Sequence, residues 1–286
     1  GAEIGRIGVV HHVGRIAEVA GSTLRVSGLG RQSALGDRVV IRAATGTEVG
    51  GEILRLTREG LTVLPEGPAD GLCIGDAVTL VGRAEIAPDD SWIGRIIDPF
   101  GRPLDGKPLF RGAVPRPLRA AAPAAAHRKR LGQRLETGVR VFNTLLPLVR
   151  GQRLGLFAGS GVGKSTLLGR FARGVAADVV VIALIGERGR ELREFSERTL
   201  GKRGMARSVI IAATSDQSPL IRRRCGWTAM AVAEHFREEG QHVLLLCDSI
   251  TRFAEAHREI ALAGGEAPSL RGFPPSTAHQ IMTLAE

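Results

Sequence analysis

The chain has 286 residues, of which 43% are apolar, and its formal net charge is +10. Length and composition are ordinary for a folded protein of about two domains. No apolar run approaches the roughly 20 residues of a membrane-spanning helix, and no secretory leader is visible, so we expect a cytoplasmic protein. Three widely spaced cysteines without C-x-x-C spacing support neither a disulfide framework nor a zinc site.

The positive charge is concentrated in one part of the chain. Residues 1–83 have nine basic and nine acidic side chains, so the excess lies in residues 84–286. Such an excess is compatible with an anionic membrane surface, an acidic protein or nucleic acid as partner. Aromatic residues make up only 4% and tyrosine is absent, which argues against a stacking platform for nucleic acid.

Residues 1–83 consist of short runs that alternate apolar and polar residues and that are separated by glycine. This pattern predicts a small β-barrel or a sandwich with a role in structure or assembly. Residues 84–119 are dense in proline and turn formers, so we expect little regular structure there. Residues 127–130, HRKR, are interpreted as a solvated basic face on a connection that leads to a helix.

Strand and helix patterns alternate in the rest of the chain. Nearly continuous apolar runs predict strands at residues 153–157, 179–185, 208–212 and 242–247. Helices are predicted at residues 164–175, 190–200, 219–239 and 249–263. This order is typical of a doubly wound α/β domain with a parallel sheet buried on both faces. We therefore predict a β-barrel domain at residues 1–83 and a P-loop nucleotide-binding ATPase domain at residues 84–286.

A glycine-rich stretch between the first of these strands and its helix has the composition of a phosphate-binding loop. Its backbone N–H groups, together with the positive end of the following helix, are suited to hold the phosphates of ATP. Lys164 is expected to reach the β and γ phosphates and Ser165 to ligate Mg²⁺. The motif departs from G-x-x-x-x-G-K-[ST] at its first position, which is alanine. The predicted nucleotide-binding residues are Ala158, Gly159, Ser160, Gly161, Val162, Gly163, Lys164, Ser165 and Thr166.

Two acidic residues follow predicted strands and are expected at the carboxyl edge of the sheet, where ligands bind in open α/β folds. Asp248 is the candidate to hold Mg²⁺ opposite Ser165, and Glu187 is the candidate to activate the attacking water. Arg188 is a further catalytic candidate. The alternative is that such acids only cap helices.

Several stretches together resemble the rotary-type ATPases that include ATP synthase catalytic subunits. They are TGVRVFNTLLPLVRGQRLGLFAGSGVGKSTLL, IGERGRE, LLLCDSITRFAEAHREIAL and RGFPPS. The sequence is most similar to the flagellar protein export ATPases, and next to the injectisome ATPases of type III secretion. The resemblance implies an amino-terminal barrel, a homohexamer with sites between subunits, Glu187 as catalytic glutamate and Asp248 as magnesium acid.

The resemblance also implies partners and missing parts. The partners are stator and stalk proteins of the export apparatus, export substrates and chaperones, at the cytoplasmic side of the inner membrane. The family continues beyond RGFPPS into an arginine finger and a helical domain, so we expect a fragment that is incomplete at its C-terminus and only weakly active. Three alternatives remain open: a hexameric RNA translocase, an ATP synthase subunit and a non-catalytic nucleotide-binding subunit.

Overall fold

The computed structural model describes residues 10–159 and 161–286, so Ser160 of the predicted phosphate loop lies outside the described residues. The chain forms two compact units. The first contains the described residues up to Ala84 together with Ser218–Leu220 and His257–Ser276. The second contains Glu85–Gln217, Ile221–Ala256 and Thr277–Glu286. The division at residues 83 and 84 stays a prediction, because neither compact unit is continuous in sequence.

The first unit is built on a closed six-stranded barrel with the strand order β1-β2-β5-β4-β3-β6, in which all neighbours are antiparallel. Its strands are β1 (Val13–Ala20), β2 (Thr23–Ser27), β3 (Arg38–Arg42), β4 (Glu48–Leu56), β5 (Leu61–Pro65) and β6 (Ala77–Gly82). Alternate side chains, such as Leu24 and Val26, are fully buried inside. The predicted barrel is confirmed. It forms because alternation with a period of two gives each strand one apolar face.

Two later segments join this unit through apolar contacts. Leu64 of β5, Leu220 and Ile260 form a small buried cluster. Within residues 257–276, the Ser276 hydroxyl lies 2.8 Å from His257 Nε2 and donates to a Glu266 oxygen at 2.5 Å. His257 is therefore a packed, hydrogen-bonded histidine, as the apolar stripe of its helix predicts.

The second unit contains a four-stranded parallel sheet with the order β12-β10-β11-β8 and a separate antiparallel pair, β7 with β9. The strands are β7 (Glu85–Ile86), β8 (Ile96–Ile97), β9 (Arg116–Pro117), β10 (Val179–Glu187), β11 (Ser208–Thr214) and β12 (Val243–Asp248). The first eight residues of the central strand β10 are all buried. A strand with both faces covered needs a continuous apolar run, which is what the sequence shows.

The helices follow the predicted order. They are α1 (Arg140–Thr144), α2 (Lys164–Gly174), α3 (Gly189–Glu194), α4 (Gly201–Met205), α5 (Pro219–Glu238), α6 (Ile250–Ala263) and α7 (Ser276–Ala285). A π-helical segment, Phe195–Leu200, joins α3 to α4. Within the part of the chain that is described, no helix has both the length and the apolar character needed to span a bilayer.

Two sequence predictions about the sheet are wrong. Residues 153–157 form no strand, and Phe157 is 98% exposed. Three apolar side chains around a glycine indicate burial or a binding surface, but they do not specify a ladder partner. Residues 84–119, in contrast, contain the edge strand β8, whose Ile96 and Ile97 pair with Ile210 and Ile211 of β11. A two-residue strand is too short to show a period.

Candidate active site

The predicted phosphate loop leads directly into α2, and two glycines determine its path. Gly161 has φ 76° and Gly163, at the N-cap of α2, has φ 93°. Residues with a Cβ rarely adopt such positive φ values. A Cβ built at either glycine has no atom of a described, non-neighbouring residue within 4 Å. The loop backbone therefore has open space in front of it rather than packed protein.

The start of α2 is free to accept an anion. No side chain of the described residues caps its N-terminus, so the N–H groups of the first turn present the positive end of the helix dipole. Further along, Leu168, Phe171 and Ala172 are buried in the core, and the Phe171 ring packs edge-on against Phe142 at 4.9 Å. The packed part of the helix holds the open end in place.

The other loop residues that were predicted from the sequence lie on the surface. Ala158, Gly159 and Val162 are exposed, and so are Ser165 and Thr166 in the first turn of α2. Backbone and hydroxyl groups in this position are accessible to a ligand that approaches the helix end.

Asp248 and Lys164 lie together at this helix end. The parallel register pairs Leu184 of β10 with Asp248, the last residue of β12. Asp248 is only 4% exposed, and its Oδ1 lies 2.6 Å from Lys164 Nζ. A strand-end carboxylate thus meets the loop lysine, although the two residues are 84 positions apart.

Glu187 ends the neighbouring strand β10, at the same edge of the sheet. Its pKa is raised to about 7, first by burial, then by a side-chain hydrogen bond with Glu191 and by the negative charge of Asp248. The ammonium of Lys164 opposes this shift. A carboxylate with a pKa near 7 is suited to accept and release a proton at neutral pH.

The described contact of the Arg188 side chain is with a different residue. Its side chain is exposed, and its Nη1 lies 3.9 Å from the Glu191 carboxylate. The structure therefore brings Lys164, Glu187 and Asp248 together, whereas the described ion pair of Arg188 is with Glu191. A catalytic role for Arg188 stays a prediction.

The donors at this edge fit a nucleotide with Mg²⁺. The Asp248 Oδ1 is buried and is paired with the Lys164 ammonium at 2.6 Å, a cation that already occupies one side of this carboxylate. Carboxylate and hydroxyl oxygens are the ligands that Mg²⁺ prefers, and Ser165 offers an exposed hydroxyl on the adjoining helix turn. The donor set therefore fits Mg²⁺, provided that the ammonium turns from Asp248 towards the phosphates when the nucleotide binds.

Comparison with known proteins agrees with this geometry. Residues 138–286 match the family described as "ATP synthase alpha/beta family, nucleotide-binding domain". The chain belongs to the ATP synthase alpha/beta family.

Similar members of the family are named for the flagellum or for type 3 secretion. The flagellum-specific ATP synthase of Agrobacterium fabrum is 47% identical over 97% of this chain and 58% of that protein. The type 3 secretion system ATPase of Xanthomonas euvesicatoria is 43% identical over 99% of this chain and 64% of that protein. The chain therefore spans less than two thirds of the length of these relatives.

The fold also matches a solved structure of a secretion ATPase. The assembled ATPase EscN from the enteropathogenic E. coli type III secretion system aligns with a TM-score of 0.87 and 35% identity, over 95% of this chain and 65% of that chain. A second structure contains EscN in complex with its central stalk EscO. The predicted recognition and fold class, a P-loop domain preceded by a barrel, are confirmed.

The sequence analysis did not predict an apolar cleft that lies beside the phosphate loop of this chain. The cleft has a volume of about 430 Å³. It is lined by Phe142, Leu146, Leu154, Gly155, Leu156, Phe157, Ala158, Val162, Gly163, Lys164 and Leu167. These residues come from three separate stretches of sequence, so no local pattern indicated the cleft. The available signal in the sequence was the apolar run that ends at Phe157, because an apolar run that forms no strand indicates a binding surface.

The thiols near this edge of the sheet are held in the protonated form. Burial, and secondarily the charge of Asp248, raises the pKa of Cys247 to about 12. Burial also raises the pKa of Cys225, whose Sγ donates to the Ile211 carbonyl at 3.3 Å. Thiols held in this way stay protonated and are poor nucleophiles.

Proposed function

We propose that this chain is the barrel and nucleotide-binding part of a Mg²⁺-dependent ATPase that energises export of flagellar proteins through a type III secretion apparatus. The observation that supports this most is the contact of Lys164 with the buried Asp248, beside Glu187, at the uncapped start of α2. A triphosphate accounts for all of these groups at once, because its charge suits the lysine and the helix end.

Each group has a distinct task in hydrolysis. The N–H groups at the start of α2 and the Lys164 ammonium bind the β and γ phosphates and stabilise the charge that develops on them. Asp248 and the Ser165 hydroxyl would hold Mg²⁺, which neutralises phosphate charge when bound. Glu187 accepts a proton from the attacking water and orients it in line with the leaving phosphate. The apolar cleft beside the loop would accept the base of the nucleotide, an apolar ring system.

We further propose that the active form is a homohexamer that works with stator and stalk proteins, export substrates and chaperones. It would act in the cytoplasm, peripherally at the inner membrane. The arginine finger that the resemblance implies is worth about 10³ to 10⁵ in rate. No residue in these 286 is assigned to that role, so we expect the chain alone to bind Mg-ATP well and to hydrolyse it slowly.

A matched pair of lysine substitutions tests the nucleotide site. Lys164→Ala should abolish Mg-ATP binding measured by calorimetry, because the phosphates lose their ammonium partner. Lys202→Ala removes an exposed lysine from α4 and should leave binding unchanged. Equal affinities for the two variants would contradict a triphosphate at this loop.

An injectisome ATPase is the second candidate, favoured by the similarity to the Xanthomonas and EscN proteins. Complementation separates the candidates: the intact gene should restore motility to a strain without its flagellar export ATPase, and the Lys164→Ala version should not. Rescue of effector secretion without motility would favour the injectisome. Stimulation of the ATPase by RNA, with a steep salt dependence, would instead favour a nucleic-acid motor.

A further inference from the structure

Another group of metal-ligating side chains lies in the second unit and has no part in the proposed hydrolysis. It consists of Asp90, His235 and Glu239. One ligand atom from each, a carboxylate oxygen or an imidazole nitrogen, lies within 4.8 Å of the other two. Asp90 is 145 residues from His235 in sequence, so the fold alone brings them together.

Local structure directs the three side chains. His235 is in the last turn of α5, and the Glu239 N–H donates to the His235 carbonyl at 3.2 Å, which extends the helical geometry by one residue. Residues four apart on a helix lie on the same face. Asp90 starts the short 3₁₀ turn Asp90–Trp92, and that turn is anchored by the buried Trp92 ring.

The imidazole is the unusual member of the group. His235 is 9% exposed, and among the described residues its Nε2 has no hydrogen-bond partner and no contact with solvent. Glu239 Oε1 lies 3.3 Å from that nitrogen. This contact lacks hydrogen-bond geometry, so the buried nitrogen and the carboxylate are close neighbours that an ion between them would satisfy together. Donors about 2.1 Å from a tetrahedral zinc ion are about 3.4 Å apart, so this spacing already suits a metal.

The neighbouring charges leave the two carboxylates available. Glu238 is occupied by Arg116 at 2.6 Å and by Arg237 at 3.3 Å. Asp89 is engaged as the cap of the 3₁₀ turn, where its Oδ1 accepts from the Ser91 N–H at 2.9 Å. Two carboxylates and one neutral imidazole together have a charge of −2, which a divalent cation neutralises.

We propose that Asp90, His235 and Glu239 bind a divalent transition metal ion, with zinc as the best fit. An imidazole in the donor set favours zinc over Mg²⁺ and Ca²⁺, which prefer oxygen donors alone. Three protein ligands leave a fourth position for water. The ion links the turn before β8 to the end of α5 and is separate from the Mg²⁺ at Asp248.

The test is a calorimetric titration of the chelator-treated chain with ZnCl₂. Cys73 is an exposed thiol and a competing ligand, so the background is Cys73→Ser. Excess Mg²⁺ in the buffer occupies the oxygen-only site at Asp248. We expect one zinc ion per chain and an increase in Tm on binding, because the metal binds the folded state.

Matched variants locate the metal. The double variant Asp90→Asn, Glu239→Gln should weaken zinc binding by more than about tenfold, since it removes two ligands. Its control, Asp89→Asn with Glu238→Gln, makes the same change in net charge at the adjacent positions. Asparagine keeps the cap at position 89, so this variant should bind zinc much more tightly than the ligand variant, with only the small loss that the Asp89 charge near His235 accounts for. Asp90, Glu238 and Glu239 are exposed, and Asp89 is a half-buried cap whose role asparagine also fills, so the comparison does not depend on whether His235→Gln folds.

Three results would overturn the proposal. They are the lack of a saturable one-to-one zinc isotherm, parent affinity in the ligand variant, and equal weakening in both double variants. X-ray absorption of the zinc complex adds an independent readout. Nitrogen and oxygen donors support the site, whereas sulfur donors would place the ion at a cysteine and contradict it.

Discussion

The interior of the barrel and the edge of the parallel sheet differ in the polar groups that they contain. In the barrel, Val39, Ile41 and Ile53 are fully buried, and the interior is a closed apolar cluster. At the sheet edge, α2 starts without a side-chain cap from the described residues, and the buried Asp248 carboxylate pairs with the Lys164 ammonium. Complete burial of apolar groups gives stability without chemistry, whereas charged groups and open N–H groups held by a rigid frame give a site for an anion and a cation. The two regions should therefore respond to different mutations.

Glu187→Gln should give the largest effect, and we expect it in the rate of ATP hydrolysis rather than in Mg-ATP binding. The amide cannot accept a proton from water, so we expect ATP hydrolysis by the intact enzyme to fall by about 10² to 10⁴. Mg-ATP binding should persist, because Lys164 and Asp248 are unchanged. Glu194→Gln is the control, since Glu194 is exposed and pairs with Arg198 at 3.9 Å. Hydrolysis at the parent rate by Glu187→Gln would remove it as the water-activating group.

In the barrel the effect should fall on stability. Ile53→Ala leaves a cavity in a fully buried position and should cost about 2 to 5 kcal/mol in the free energy of unfolding, measured in urea. The Kd for Mg-ATP under folded conditions should not change. Val81→Ala, at an exposed position of β6, should stay within about 0.5 kcal/mol. A loss of nucleotide affinity in folded Ile53→Ala would show that the two regions are not independent.

Gly163→Ala should affect both properties to a moderate degree. The added Cβ meets no neighbour, but φ 93° is strained for alanine, so we expect a loss of about 1 to 2 kcal/mol in unfolding free energy. Mg-ATP binding should weaken as the loop backbone shifts. Gly189→Ala also adds a Cβ in open space, without a positive φ, and should be neutral. Equal stability of the two variants would mean that loop conformation is not under constraint.

The most gradual effect is a pH dependence, because it is spread over the range between two pKa values. Glu187 titrates near 4.5 in the unfolded chain and near 7 in the folded protein, so between these values only the folded state keeps the proton. The free energy of unfolding should therefore fall as pH rises from 4.5 to about 7, and then level off. Turnover should rise through the same range, because the base must be ionised. Urea unfolding at several pH values should show a flatter profile for Glu187→Gln, and identical profiles would contradict the raised pKa.

The sequence predicted those parts of the molecule that depend on local pattern. Alternation indicated the barrel, continuous apolar runs indicated β10 and β12, and the glycine-lysine-serine loop indicated α2. The proximity of Lys164 to Asp248 followed from a topological rule, since the carboxyl ends of parallel strands share an edge. These predictions succeeded because each uses a period or a rule that a few neighbouring residues express.

The failures concern contacts between distant segments. The run at residues 153–157 looks like a strand, but strand formation depends on a partner that the sequence does not name. Ile96 and Ile97 look like part of a turn, yet they find that partner in β11. The hydrogen bond between Glu187 and Glu191, which raises the pKa, depends on how α3 leaves the sheet edge. The group of Asp90, His235 and Glu239 has no local sequence pattern, because Asp90 is 145 residues from His235 and only the fold brings them together.

The most direct test of the active-site assignment is a crystal structure with Mg²⁺ and a non-hydrolysable ATP analogue. The account predicts that the triphosphate lies on the start of α2 and contacts Lys164, with Asp248 beside the magnesium ion and Glu187 facing the γ phosphate. A triphosphate bound elsewhere, or a Glu187 carboxylate on the far side of the sheet edge from the γ phosphate, would contradict it.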